Sequence, residues 1–134
     1  MNPRLRVSAA ACLLMFCLMV AGCGKETGEL KGQIVEDGKP KSFEANEAAL
    51  QLTMVGPDGK FDNNHSYTAV VNKDGSFEVV ASGGELTPGN YQVAIQFRGG
   101  NPKYKPFAAP ESPIRREIKS GRNRFEIDLA KPQG

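Results

Sequence analysis

Few side chains in this chain of 134 residues could do chemistry, and the first candidate is a cysteine. The three cysteines, at positions 12, 17 and 23, all lie in the first 23 residues. Cys23 ends an uncharged stretch that begins at Val7, and the small residues Ala21 and Gly22 precede it. A thiol becomes a strong nucleophile when it ionises, and small neighbours leave the backbone open to an approaching peptidase. Cys23 is therefore a candidate for covalent modification.

The second candidate is His65, because an imidazole can act as a general base or bind a metal. It is the only histidine, and Asp58 and Asp62 stand nearby on what we expect to be a loop. Residues 58–64 lack the Asp-x-Asp-x-Asn-Gly order of a calcium loop. No His–Ser pair stands in a nucleophile-elbow context. We therefore predict no catalytic residue and no metal site.

A third group of residues could bind a ligand. Residues 99–113 form a long segment with four prolines. Aromatic and cationic side chains on a stiff loop can grip a glycan, a peptide or an anionic polymer at low ordering cost. The candidate binding residues are Arg98, Lys103, Tyr104, Lys105 and Phe107. Alternatively, the two aromatic residues pin the loop onto the domain, since loops longer than about 12–15 residues are functional or need internal packing.

The N-terminus has the features of a secretory signal peptide, with Arg4 and Arg6 before an apolar stretch that is too short for a typical membrane span. Val20-Ala-Gly-Cys23 resembles the lipobox of bacterial lipoproteins. The resemblance implies cleavage between Gly22 and Cys23, with acyl chains such as palmitate on Cys23. It also implies a cell-envelope protein held at a membrane by this lipid, without any other cofactor. In that family an Asp after the cysteine often retains the protein in the inner membrane, so Gly24 favours the outer membrane.

Removal of residues 1–22 would take two of the 17 basic residues and none of the 15 acids, which leaves a neutral chain. A neutral chain lacks the strong basic field of a nucleic-acid binder, so we predict no nucleic-acid partner. The mature chain would have no disulfide, so it must be stabilised by its own core. A second basic cluster could face anionic lipid head groups or form a solvated edge strand; it comprises Arg115, Arg116, Lys119, Arg122 and Arg124.

The rest of the chain has the alternation of β-strands. We expect residues 23–28 to be a polar tether, residues 29–130 to form one domain, and residues 131–134 to be a frayed tail. Within the domain, short runs of period two are separated by Gly, Pro, Asn and Asp, which predicts an all-β fold. Residues 43–50 could form a helical turn or a loop. The seven candidate strands cover residues 30–35, 50–55, 67–71, 77–79, 90–98, 114–118 and 125–129.

Three segments together resemble carboxypeptidase regulatory-like domains. They are Gly32-Gln-Ile-Val35 with the turn that follows, Asn72-Lys-Asp-Gly-Ser-Phe77, and Leu86-Thr-Pro-Gly-Asn-Tyr-Gln-Val93. The resemblance implies a transthyretin-like (prealbumin-like) fold, which is a seven-stranded Greek-key β-sandwich. Small planctomycete lipoproteins are more similar still, with a Lys-Tyr pair, a Ser-Pro step and a closing strand; here these are Lys103-Tyr104, Ser112-Pro113 and residues 123–129.

The resemblance implies fold and location more than activity. Transthyretin-like folds include the enzyme hydroxyisourate hydrolase, which relies on several histidines and a C-terminal Tyr-Arg-Gly-Ser motif. This chain has one histidine and ends in Lys131-Pro-Gln-Gly134. We therefore expect a non-enzymatic, membrane-anchored binding or structural module. The alternative is an accessory subunit that recognises carbohydrate or peptide for a larger envelope complex, with an envelope protein or glycan as partner.

Overall fold

The structure is a computed structural model that describes residues 28–81 and 85–133. The predicted signal peptide and the predicted cleavage and lipidation site at Gly22 and Cys23 lie outside the described residues. The described part contains eight strands and one 3-10 helix, at Pro102–Phe107. The strands are β1 (Glu29–Glu36), β2 (Lys39–Pro40), β3 (Ala48–Val55), β4 (Phe61–Val70), β5 (Ser76–Val79), β6 (Gly89–Phe97), β7 (Arg115–Ile118) and β8 (Arg122–Asp128).

The strands form two sheets, and the all-β prediction is confirmed. In the first sheet β1 pairs in parallel with β8 along one edge and antiparallel with β5 and β2 along the other. The second sheet is antiparallel throughout, in the order β4-β3-β6-β7. Two sheets whose apolar faces share one core are consistent with a β-sandwich.

The core follows from the period-two pattern, because successive side chains in a strand point to opposite faces. Leu30 and Ile34 on β1, and Tyr91, Val93 and Ile95 on β6, are wholly buried. Their neighbours in the first sheet and in the loops complete one continuous apolar cluster. Within residues 28–81 and 85–133, the structure has no helix with the length and apolar composition that a membrane span needs.

For residues 43–50 the structure decides between the two alternatives of a helical turn and a loop. They form no helix: β3 begins at Ala48, and Asn46 has φ +59°, a left-handed conformation that ends any helical turn. The described residues also hold eight strands, one more than the seven expected. The extra strand is β2, which pairs with the end of β1 after the turn at Asp37 and Gly38.

Another correction concerns Asp62 and His65, which do not lie on a loop. β4 begins at Phe61, six residues before the predicted strand, and contains both residues. The register of β3 with β4 jumps between Ser66 and Asp62, so residues 63–65 bulge out of the ladder. Such a bulge re-aims side chains, which is why period-two reasoning missed the first half of this strand.

The two ends of the sandwich differ in what they carry. The start end, as we name it, holds Glu29, where β1 begins beside Arg122 of β8. The far end holds Glu36, the last residue of β1, and Phe97, the last residue of β6. Residues 98–114 leave β6 at the far end and return to β7. The N-terminal side of the domain and the candidate binding loop are thus at opposite ends.

Gly32 is the point of closest approach in the first sheet. A Cβ atom there would lie 2.6 Å from the Phe125 carbonyl oxygen and would collide with the Phe77 ring. Inserting atoms into a packed interior typically costs about 1–3 kcal/mol. We expect Gly32→Ala to lower the free energy of unfolding by at least about 2 kcal/mol in urea denaturation. The exposed Lys39→Ala is the control, and equal stability of the two variants would contradict the packing described.

Candidate functional site

The candidate binding loop is packed against the sandwich. Gly99 and Gly100 both have positive φ and turn the chain away from β6. Asn101 then caps the 3-10 helix, because its side-chain oxygen accepts a hydrogen bond from the Lys103 amide at 3.0 Å. The Tyr104 amide donates to the Asn101 carbonyl and the Ala108 amide to the Lys105 carbonyl. The loop therefore satisfies much of its own backbone.

Tyr104 holds this loop in place. Its side chain is only 5 % exposed, and its ring stacks on Phe97 with 4.3 Å between ring centroids. Phe97 in turn contacts Phe43 at 5.9 Å between centroids. Phe107, at the other end of the 3-10 helix, is also buried. The rings of Tyr104 and Phe107 thus lie mainly inside the domain, as expected if these two residues hold the loop on the domain.

Two lysines and one glutamate surround the Tyr104 ring. The Lys41 and Lys103 ammonium nitrogens lie 5.6 Å and 5.4 Å from the ring centroid, within cation–π range. Both also bind Glu36, at 2.9 Å and 2.5 Å from its carboxylate oxygens. These ion pairs tie the loop to the end of β1.

The pKa values of these charged groups shift in the directions that the ion pairs require. Hydrogen bonds from Lys103 and Lys41 lower the pKa of Glu36. The hydroxyl of Tyr104 and the carboxylate of Glu36 raise the pKa of Lys41, and Glu36 raises that of Lys103. All three groups are therefore charged at neutral pH, so Lys103 already has an anionic partner within the domain.

A cavity of about 300 Å³ lies beside Tyr104, between the loop and the edge of β6. Lys105, which is exposed, is the only charged residue in its lining. Arg98 is exposed at the end of β6, outside this lining. The other lining residues include Ile95, Phe97, Asn101, Tyr104 and Ala108. The cavity therefore has apolar walls and one cation at its rim.

The cavity exists because β7 is much shorter than β6. β7 pairs with β6 only as far as Gln92. Just beyond, the Val93 amide donates to the Ile114 carbonyl, and the Ser112 hydroxyl donates to the Val93 carbonyl at 2.5 Å. The Gln92 side chain donates to the carbonyls of Pro110 and Ser112. These bonds hold the returning loop against β6 at residues 92 and 93. Beyond them, the edge of β6 borders the cavity instead of a neighbouring strand.

His65 lies away from this cavity. Its Nδ1 atom is 2.8 Å from an Asp62 carboxylate oxygen, and this hydrogen bond lowers the pKa of Asp62. Both residues sit on β4, which β3 separates from β6, and two strand spacings amount to about 10 Å. In the described part of the chain, no three His, Cys, Asp or Glu residues are grouped so that they could hold a metal ion.

Several side chains of the second basic cluster have hydrogen-bond or ion-pair partners nearby. Arg115 donates to the carbonyls of Ser112 and Ile114. Arg116 donates to the carbonyl of Glu126 on β8, which links the two sheets. Arg122 points into solvent at the start end, 3.8 Å from Glu29. At least three of the five cations therefore have local partners.

Sequence reasoning missed several residues of this site. Glu36 and Lys41 are remote from the loop in sequence, so only the fold shows that they hold Tyr104. Gln92 carries a mild signal, since a polar side chain in the most apolar strand is buried only when its hydrogen bonds are satisfied. Ser112 carries no sequence signal beyond the Ser-Pro step, because its bond to the Val93 carbonyl arises only from the fold.

No protein-family model matches this chain, and no curated protein sequence matches it. Among solved structures, a DUF3823 family protein from Bacteroides ovatus is 18 % identical over 76 % of this chain, with a TM-score of 0.51. A DUF3823 family protein from Parabacteroides merdae is 20 % identical over 74 %, with a TM-score of 0.47. The chain spans 43 % of each of those chains. The first likeness shows the fold alone, that of a β-rich domain of a bacterial protein.

The packing of Tyr104 gives a direct test. Replacing a buried aromatic residue with alanine typically costs about 3–5 kcal/mol. We expect Tyr104→Ala to lower the free energy of unfolding in urea by about that amount, because the loop loses its main apolar contact. Lys105→Ala, at the exposed neighbouring position, should change it by less than about 0.5 kcal/mol. If Tyr104→Ala costs no more than the lysine variant, the ring does not hold the loop.

Proposed function

We propose that this chain is a lipid-anchored bacterial envelope protein whose β-sandwich serves as a non-enzymatic binding module. Position and sequence of the lipobox-like segment support the anchor. β1 begins at Glu29, six residues after Cys23. Six extended residues span at most about 20 Å, so the start end would lie close to the membrane surface. The second basic cluster has Arg122 at this end, where anionic head groups would be within reach.

The observation that carries the binding proposal is the position of the cavity at the opposite end of the sandwich. β1 has eight residues, and a strand rises about 3.3 Å per residue, so the two ends are more than about 20 Å apart. An anchor at the start end would therefore turn the cavity and Arg98, Lys103 and Lys105 towards the aqueous space. A tethered domain that presents its cavity outward is suited to capturing a partner.

Two finer assignments belong to the same proposal. We propose that the sandwich is a Greek key of the transthyretin-like kind; the parallel pairing of β1 with β8 and the seven strands of four or more residues support it. We further propose a planctomycete-type lipoprotein on the outer membrane, which rests on the sequence resemblance and on Gly24.

A second candidate function is that of an accessory subunit that recognises peptide for a larger envelope complex. The part of the β6 edge that β7 does not pair favours it, because unpaired strand edges can bind extended chains by backbone hydrogen bonds. Both candidates place the partner at the far end. They differ in whether the partner is a stable subunit, which affinity capture of the lipidated protein from native envelopes would reveal.

The anchor is tested by fatty-acid labelling in the producing bacterium. Cys23→Ser should abolish incorporation of labelled palmitate and leave an uncut precursor or a released product, because serine cannot form the thioether. Cys17→Ser is the matched control, since Cys17 lies in the segment predicted to be removed. If Cys23→Ser still takes up label and still sediments with membranes, the protein is held by other means.

A further inference from the structure

The outer face of the first sheet changes charge along its strands. Because Phe125 and Ile127 are buried in the core, the alternate residues of β8 point outward. In chain order these outward residues are Arg122, Arg124, Glu126 and Asp128. The two cations lie towards the start end and the two anions towards the far end, so this face has an electrostatic direction along its length.

The neighbouring strands complete the basic half of this face. The register places Glu29 of β1 beside Arg122, and Lys31 beside Arg124. Glu78 of β5 lies on the other side of Lys31. The turn from β7 to β8 adds one more cation at the start end. We name this region the basic corner; it comprises Glu29, Lys31, Glu78, Lys119, Arg122 and Arg124. Four cations and two anions give it a net charge of +2.

The cations of the basic corner are open to solvent. The side chains of Arg122 and Lys31 are 92 % and 55 % exposed. Arg122 is 3.8 Å from Glu29, and an exposed ion pair of this kind contributes little, so the arginine can exchange partners. Arg124 is exposed and has no ion pair within the described part of the chain. Both arginines line a cavity of about 450 Å³, where a phosphate group could reach the two guanidinium groups together.

An exposed valine adjoins the basic corner. Val80 is 75 % exposed, more than Phe61 or Val70, the other exposed large apolar residues of the described part. A cavity of about 300 Å³ is lined by Val80 together with Glu29 and Arg122. An apolar side chain beside cations suits the surface of a bilayer, where acyl chains meet phosphate groups and long basic side chains extend to the head groups.

The chain that precedes the domain determines which anionic surface is at hand. Glu29 belongs to the basic corner and is six residues after Cys23, so a lipid on Cys23 would hold the corner within about 20 Å of the bilayer. Anionic head groups attract cations that come within a Debye length, about 8 Å at physiological ionic strength. A short tether gives this surface a high effective concentration, which an acidic protein free in solution lacks.

We propose that the basic corner docks on the anionic phospholipid surface to which the chain is anchored. Arg122 and Arg124 contact head-group phosphates, and Val80 lies at the boundary with the acyl chains. The same surface repels Glu126 and Asp128, so the domain takes one orientation, with its far end away from the lipid. This inference rests on the proposed lipid anchor, and it adds the surface that meets the membrane.

The test uses tryptophan fluorescence, because the chain contains no tryptophan. Val80→Trp places a reporter at the basic corner, and Val70→Trp places a matched reporter at an exposed valine near the far end. The chain that begins at Cys23 is attached to vesicles through this residue, by its own lipid or, if it carries none, by coupling to a maleimide lipid. The vesicles contain brominated phosphatidylcholine, with or without phosphatidylglycerol.

In vesicles with phosphatidylglycerol, we expect bromine to quench the Val80→Trp emission at least about fivefold more strongly than the Val70→Trp emission, because only the corner contacts lipid. Vesicles of phosphatidylcholine alone should quench it less. Neither reporter replaces a charged residue of the basic corner, so both leave the docking surface intact.

A pair of charge reversals tests the role of the arginines. Arg122→Glu with Arg124→Glu changes the charge of the corner from +2 to −2. This change should shift the docking equilibrium of the Val80→Trp chain by at least about tenfold, since each cation near an anionic surface contributes about fivefold. Lys39→Glu with Lys73→Glu makes the same change of charge at exposed positions away from the corner and should leave the quenching unaltered.

The proposal is overturned if both reporters are quenched equally, or if the quenching of Val80→Trp survives the arginine reversals or the omission of phosphatidylglycerol. The corner would then face solvent or another partner, such as an acidic protein. Failure of the anchor has a different signature. In that case Cys23 takes up no palmitate in the bacterium, while the coupled chain still shows quenching at position 80. A labelled Cys23 without such quenching would keep the anchor and remove the docking surface.

Discussion

The constraint on which the rest of the structure depends is the mismatch between β6, with nine residues, and β7, with four. A strand edge inside a folded domain must find other partners once its neighbour ends. At Val93 the Ser112 hydroxyl replaces the missing strand by donating to the Val93 carbonyl, and the 99–113 loop covers the rest of the β6 edge. Because that loop arches over the edge without pairing with all of it, a cavity remains at Ile95.

Tyr104 makes this arrangement stable. A long loop loses much conformational entropy on docking, and one buried aromatic ring stacked on Phe97 offsets a large part of it. The Glu36 ion pairs then connect the loop to the other sheet. Tyr104 and Phe107, which the sequence analysis considers as ligand-binding residues, thus hold the loop on the domain. Arg98 and Lys105 are exposed and could contact a partner. Binding by these residues stays a prediction.

Much of the fold could be predicted from the sequence because strand periodicity is local. Tyr91, Val93 and Ile95 alternate so regularly that β6 could be placed nearly to the residue. The bulge on β4 interrupts the alternation of apolar and polar residues, so the first half of this strand could not be predicted. β2 has only two residues, which is too short to show any alternation. The site was harder to predict, since Glu36, Lys41 and Ile95 meet the loop only through sheet pairing and through the early end of β7. Those are long-range facts that no local pattern of residues contains.

The most direct test of the central claim, that β7 ends before it can pair with Ile95 of β6, is amide hydrogen exchange along this strand in the free protein. Ala94 and Gln96 pair with β3, and the Val93 amide donates to Ile114. We predict that the amides of residues 93, 94 and 96 are protected, while that of Ile95 exchanges at least about tenfold faster than its neighbours. Equal protection at Ile95 would mean that its amide has a hydrogen-bond partner, and it would contradict the mismatch between β6 and β7 on which the account depends.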